Sequence, residues 1–281
     1  MMEVQSTKKM NNNQKRQDTE TLISVQNVTA GYGDKIIIQD VSFDIQRGEV
    51  VSILGRSGCG KTTLFKVMTG LIRPISGEVQ IEGETILPID YGGSDVILRK
   101  IGVMFQSGAL FTSMTLAENV AFPLRLHTNL SESIIEHIVA MKLKEVGLSG
   151  YGDLTPAELS GGMQKRAALA RAMALDPAML FFDEPSAGLD PVTSVGLDEM
   201  ILAINKHLGT TMVIITHELP SILMISNRAI MLDREEKTVI AQGPPQYLKD
   251  NTSDPRVKDF FNRVSSGDKF SLQAKATEKR S

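Results

Sequence analysis

With 281 residues, 42% of them apolar and 22% charged, the chain has material for one large or two small globular domains. A formal net charge of -3 supplies no basic field to gather phosphates, so no nucleic-acid partner is expected. Its apolar runs, such as Ala178 to Phe182 and Met212 to Ile215, are strand-sized and fall far short of the roughly 18 to 20 residues that span a bilayer, leaving only a peripheral membrane role.

Residues 1–21 are rich in Asn, Gln and charge and lack an apolar centre, so they read as a disordered tail rather than a secretory signal, with a cytosolic address. From Leu22 the pattern changes. Ile23-Ser24-Val25 and Ile36-Ile37-Ile38 flank a turn at Gly31 to Asp34, and Val41 to Ile45 alternates before Arg47-Gly48, which predicts antiparallel strands. Val50 to Leu54 is short, β-branched and apolar except at Ser52, as a buried parallel strand is. It runs into Gly55-Arg56-Ser57-Gly58-Cys59-Gly60-Lys61-Thr62 and then a helical spacing from Thr63. Glycines at 55, 58 and 60 let successive N–H groups and the helix N-terminus converge on one phosphate chain. Lys61 is expected to reach the β- and γ-phosphates and Thr62 to ligate Mg²⁺. Cys59 is the only cysteine, which excludes disulfides within the chain, and a thiol reagent on it is expected to block nucleotide binding.

Gly77 to Glu84 adds a short alternating strand. The middle of the chain is helical: Ser131 caps one predicted helix that stops at Gly147, and a second runs from about Gly162 to Asp176-Pro177. Strand character returns at Met179 to Phe182 and Met212 to Ile215, around a helix that Asp190-Pro191 starts and Gly209 ends. This alternation predicts a parallel sheet with a helical insertion.

Asp183 and Glu184 then emerge at the C-terminal end of a parallel strand, where ligands of open α/β sheets sit. Asp183 suits a Mg²⁺ ligand and Glu184 the group that polarises attacking water. His217 follows the next apolar strand and is expected at the same edge, within reach of a γ-phosphate. Ser160-Gly161-Gly162 opens a helix with bare N–H groups, a second anion site. One nucleotide does not need two such sites, so a head-to-tail pair of chains sharing nucleotides is the simplest arrangement. Phe111, Met114, Leu116 and Phe122 provide an apolar groove lip suited to a short helix of a partner. After Asp254-Pro255, Val257, Phe260, Phe261 and Val264 follow an amphipathic helical spacing that needs a surface on this domain, a second chain or a small regulatory subunit; a polar tail follows Ser265.

Taken together, residues 22–245 resemble the nucleotide-binding subunit of an ATP-binding-cassette (ABC) transporter. GRSGCGKTT is similar to the family's Walker A loop, LSGGMQ to its signature, MLFFDE to its Walker B strand, Ser186 to Asp190 to its D-loop and His217 to its switch histidine. Gln106 matches the Q-loop glutamine and Tyr32 the aromatic that stacks on adenine. The resemblance implies an α/β P-loop NTPase (RecA-like) core, an antiparallel β subdomain, a helical subdomain at about 107–176 and a C-terminal extension at 246–281. It further implies ATP held by Tyr32, Gly55, Arg56, Ser57, Gly58, Cys59, Gly60, Lys61, Thr62 and Thr63, with Ser160, Gly161 and Gly162 contributed in trans within a homodimer. Glu184, His217 and Gln106 would serve catalysis, and Thr62, Gln106 and Asp183 the Mg²⁺ ion.

SGALFTSMTLAENVAFPLR, TPAELSGGMQKRAALARAMALDP and DPRVKDFFN are similar to the Mla and Mce-associated lipid transport ATPases. That similarity implies work at the cytoplasmic face of a bacterial inner membrane, on an integral permease, with a small regulatory subunit and a periplasmic lipid-binding component, moving phospholipid between inner and outer membranes. The alternative is an importer of amino acids or another small solute. A soluble cassette acting on DNA or ribosomes is disfavoured, because neither a long coiled coil nor a second cassette is present.

Overall fold

The computed structural model describes residues 20–88 and 95–262. The expected N-terminal tail up to residue 19, Val264 of the C-terminal pattern and the polar stretch after Ser265 lie outside the described residues.

Strands β1 (Thr21–Tyr32) and β2 (Lys35–Gln46) form the predicted hairpin, and β4 (Ser76–Ile81) and β5 (Glu84–Thr85) complete an antiparallel sheet in the order β2-β1-β4-β5. The two strands expected at 36–38 and 41–45 are one continuous strand. Between the pairs Val28↔Val41 and Ala30↔Ile38 the register slips, and Asp40 turns to φ 49° with its N–H on the Thr29 hydroxyl. This bulge lets Ile38 and Val41, three residues apart, both face inward, which a uniform period of two forbids.

The main sheet has the order β10-β9-β3-β8-β7-β6, built from β3 (Val50–Leu54), β6 (Ile101–Met104), β7 (Met179–Asp183), β8 (Thr211–Ile215), β9 (Arg228–Leu232) and β10 (Val239–Gly243). All neighbours are parallel except β10, which returns antiparallel to β9. Helices α1 (Lys61–Met68), α2 (Asp95–Leu98), α3 (Leu116–His127), α4 (Glu132–Glu145), α5 (Gly161–Ala172), α6 (Pro191–Leu208), α7 (Leu219–Ile225), α8 (Pro245–Asn251) and α9 (Pro255–Phe261) connect and cover the sheets. The α/β core, antiparallel subdomain and helical insertion expected from the sequence are all present.

The inner strands read as near-continuous apolar runs because both their faces are buried. Phe181 and Val213 face Phe65 of α1 and the antiparallel sheet, while Leu180, Phe182, Met212 and Ile214 face α5, α6 and the helical insertion. Each such side chain contributes roughly 1.5–3 kcal/mol on burial. Ser52 breaks the apolar run without leaving its hydroxyl orphaned, since it shares a 2.5 Å hydrogen bond with the Ser226 hydroxyl. Helix α6 begins where Asp190 accepts from the Val192 and Thr193 N–H groups and stops at Gly209, φ 67°. The C-terminal helix α9 settles one open expectation: Val257 and Phe261 pack with Leu54, Leu219, Ile222, Met231 and Leu248 of the same chain.

Candidate functional site

Strands β3, β8, β7 and β6 are consecutive neighbours, so the segments leaving their C-terminal ends meet at one edge. The phosphate loop leaves β3, His217 follows β8, Asp183 and Glu184 end β7, and Gln106 follows β6. They line a cavity of about 1260 Å³. Tyr32, Gly55, Arg56, Ser57, Gly58, Gly60, Lys61, Thr62 and Thr63 line it as well.

The loop's glycines are dictated by space as well as by backbone angle. A Cβ on Gly55 (φ 145°) would lie 2.5 Å from the Leu232 carbonyl oxygen, and one on Gly60 (φ 105°) 2.3 Å from Cγ2 of Ile38. Gly60 caps α1 without a side-chain bond, which leaves the first N–H groups of the helix directed at the cavity. Lys61 Nζ donates to the Gly55 carbonyl at 2.8 Å and the Arg56 carbonyl at 3.4 Å, so its ammonium lies over the loop it serves.

At the end of β7, burial, followed by the neighbouring Glu184 charge, raises the Asp183 carboxyl above the ordinary range. Glu184 occupies the left-handed region at φ 50° and its N–H donates to the Ile215 carbonyl at 2.8 Å, tying the end of β7 to β8. One carboxylate oxygen pairs with His217 Nδ1 at 2.8 Å; the other, Oε2, is buried with no partner. A buried acceptor without a donor, beside a hydroxyl (Thr62), a carboxylate (Asp183) and an amide (Gln106), fits a site completed by a polyphosphate, a water and a hard cation. Among the described residues no cluster of three or more His, Cys, Asp or Glu could by itself hold a metal ion.

Two expectations are corrected. Cys59 does not line the cavity: its thiol is 1% exposed in the core below the loop, its N–H donates to the Arg56 carbonyl at 3.2 Å, and burial raises its pKa. Leu116 is fully buried and cannot form a groove lip, whereas Phe111 and Phe122 are exposed, with ring centres 4.9 Å apart and planes tilted by 55°. Ser160, Gly161 and Gly162 stand apart from the cavity, at the start of α5, where the Ser160 hydroxyl accepts from Met163 N–H at 3.3 Å.

The structure adds residues that carry no motif. Arg234 and Lys237, from the β9–β10 turn, and Phe260 of α9 also line the cavity, and Asp259 approaches Arg56 of the loop at 3.7 Å. Only the antiparallel return of β10 and the docking of α9 bring them there. Tyr32 is half exposed, with Lys66 Nζ 5.6 Å from its ring centre.

The family described as ABC transporter matches residues 38–187, more than half of the chain. The chain belongs to the ABC transporter family. It is an ATP-hydrolysing, nucleotide-binding subunit of the ABC class. It is 41% identical over 251 residues to the intermembrane phospholipid transport system ATP-binding protein MlaF of Escherichia coli, covering 89% of this chain and 92% of that one. It is 42% identical over 240 residues to the "Probable ribonucleotide transport ATP-binding protein mkl" of Mycobacterium leprae, covering 85% of this chain and 68% of that one. Among solved structures, a dimeric post-hydrolysis state of the ATP-binding cassette MJ0796 bound to ADP and Pi superposes with a TM-score of 0.69 at 30% identity, over 79% of this chain and 98% of that one. Among the described residues, no helix of this ABC ATPase is long and apolar enough to cross a membrane.

Proposed function

We propose that this chain is the ATPase that powers a phospholipid transporter linking the inner and outer membranes. The carrying observation is the 41% identity to MlaF, which extends over nearly the full length of both chains. A ribonucleotide or other small-solute transporter is the second reading, because identity to mkl is 42%, but this chain spans only 68% of that protein.

In the proposed cycle, the loop N–H groups and Lys61 hold the β- and γ-phosphates and Tyr32 stacks on the base. Thr62, Asp183 and Gln106 would hold Mg²⁺, which supplies charge neutralisation at the phosphates. Glu184 takes the proton of the attacking water through its free oxygen, while its bond to His217 fixes the carboxylate plane. Ser160, Gly161 and Gly162 reach the nucleotide of a second copy. Their distance from the chain's own cavity and the dimeric state of MJ0796 support that arrangement.

A groove of about 500 Å³ beside Met114, Glu118, Phe122, Arg125 and Leu126 accepts a short permease helix. The working unit is then an ATPase domain at 22–245, with its helical subdomain at about 107–176 and an extension at 246–281, bound to the cytoplasmic face of the inner membrane. A small regulatory subunit and a periplasmic lipid-binding component complete the proposed assembly. Purification with the native membrane partner, followed by mass spectrometry of co-purifying lipid and lipid-stimulated ATPase assays, tests this reading. Bound phospholipid and stimulation are expected; stimulation by a nucleotide-derived or amino-acid solute with its binding protein, and none by lipid, overturns it.

A further inference from the structure

Lys165 is a lysine that the site has not absorbed. Its side chain is only 8% exposed, and its ammonium donates to the main-chain carbonyl of Gln106, 59 residues away. Burying a cation costs several kcal/mol unless it is compensated. Among the described residues no carboxylate forms an ion pair with it; burial works against its charge, and the Glu184 and Asp183 carboxylates offset part of that cost.

The rest of its helix face shows what the contact is for. Lys165, Ala168 and Arg171 recur at i, i+3 and i+6 on α5, and all three meet the segment after β6. A Cβ on Gly108 would lie 3.3 Å from that of Ala168, and Arg171 donates to the carbonyls of Gly108 at 3.0 Å and Ala109 at 2.8 Å. Arg171 also lies 5.5 Å over the ring of Phe111, which meets the tilted ring of Phe122 beside the groove. The Gln106–Ala109 backbone is therefore strapped along α5. The same helix begins at Ser160-Gly161-Gly162.

We propose that Lys165 is a positioning residue for hydrolysis: it ties Gln106 to α5, so that engagement of the α5 N-terminus by the partner's nucleotide sets the place of Gln106 in this chain's own site. The coupling between sites rests on the shared-nucleotide dimer proposed above. Lys165 does not line the cavity and acts through the backbone of Gln106, a residue that does. Arg171 grips the segment two residues further on and carries the movement towards the groove instead.

The test uses the chain in complex with its membrane partner and measures kcat, KM, the Hill coefficient for ATP and the melting temperature. Lys165→Met keeps the length and apolar stem and removes the donor and the charge. Its kcat is expected to fall about tenfold or more, as misplacement of a positioned group does, with ATP affinity within about twofold of the parent. Its Hill coefficient is expected to drop towards about 1, because the link between sites is cut. Lys165→Gln, which keeps a donor, is expected to lie between the two and decides by the same readouts if the Met variant does not fold. Parent-like kcat and Hill coefficient overturn the proposal, as does a loss of kcat matched by equal losses of affinity and melting temperature. Ser160→Arg, at an exposed position, separates the two ideas. Parent-like hydrolysis in Ser160→Arg overturns the shared-nucleotide dimer, whereas an inactive Ser160→Arg beside a parent-like Lys165→Met overturns the role of Lys165 alone.

Discussion

Gly60→Ala is expected to damage the protein through a contact that lies outside the phosphate loop. Gly60 has φ 105°, where a side chain is strained by roughly 1–3 kcal/mol. The added Cβ would stand 2.3 Å from Cγ2 of Ile38, against about 3.5–4.0 Å for an ordinary carbon contact, so more than about 1 Å must be found. Ile38 is 0% exposed and β-branched, so its methyl does not swing aside, and overpacking of this kind costs about 1–3 kcal/mol. The two effects together come to about 2–6 kcal/mol. Ile38→Ala removes the obstructing methyl but not the backbone strain, at its own cavity cost of about 2–5 kcal/mol. The double variant should therefore be more stable than the sum of the singles predicts, by about 1–3 kcal/mol. Urea unfolding of the parent, both singles and the double measures that coupling, and ATP titration should show partial recovery of affinity in the double. Costs that add to within about 0.5 kcal/mol would refute the steric reasoning and leave only backbone strain.

Glu184→Gln keeps the shape of the side chain and an oxygen for His217 but cannot take a proton. Phosphate release is expected to fall about 10²–10⁴-fold while ATP still binds, and a rate within about tenfold of the parent would remove Glu184 from the base role. Cys59, buried and with its thiol pKa raised, should react with a thiol reagent at least about 10²-fold more slowly in the native protein than in urea, a gap set by the opening equilibrium. Rapid stoichiometric labelling of native protein would contradict its placement. The Glu82 carboxyl is held below the ordinary range by its bond to Lys100 at 2.5 Å and then by Arg47 at 2.8 Å. A carboxyl depressed in the folded state binds fewer protons there than in the unfolded chain. Its stabilisation is therefore present above the ordinary carboxylate range and is lost as pH falls below it. Glu82→Gln should lower the urea midpoint at about pH 7 and match the parent near pH 3, with the gap narrowing further in high salt; a gap independent of pH would show that this ion-paired cluster contributes nothing through its charge.

Features encoded in contiguous residues were legible before any fold was known. The strand, glycine loop and helix from Val50 onward form one local unit, because the turn demands glycine where the backbone must approach phosphate. Asp183 and Glu184 end a strand whose run of apolar residues already says that both faces are covered. Helix α6 starts and stops at the residues its capping chemistry names, Asp190 and Gly209. Where local periodicity was broken by a long-range demand, the reading failed. The bulge at Asp40 joined what looked like two strands, because both Ile38 and Val41 are drawn into the core.

The amino-acid sequence by itself determined that a triphosphate is bound and which residue types are present to hold and hydrolyse it, since loop, acidic pair and signature are each complete within a few adjacent residues. Only the tertiary structure decided that Cys59 turns inward, that Arg234, Lys237 and Phe260 join the cavity wall, that Ser160 stays away from it, and that Lys165 clasps Gln106. Those outcomes follow from strand order and from competition for buried space, which couple residues far apart in the chain and leave no mark on local spacing.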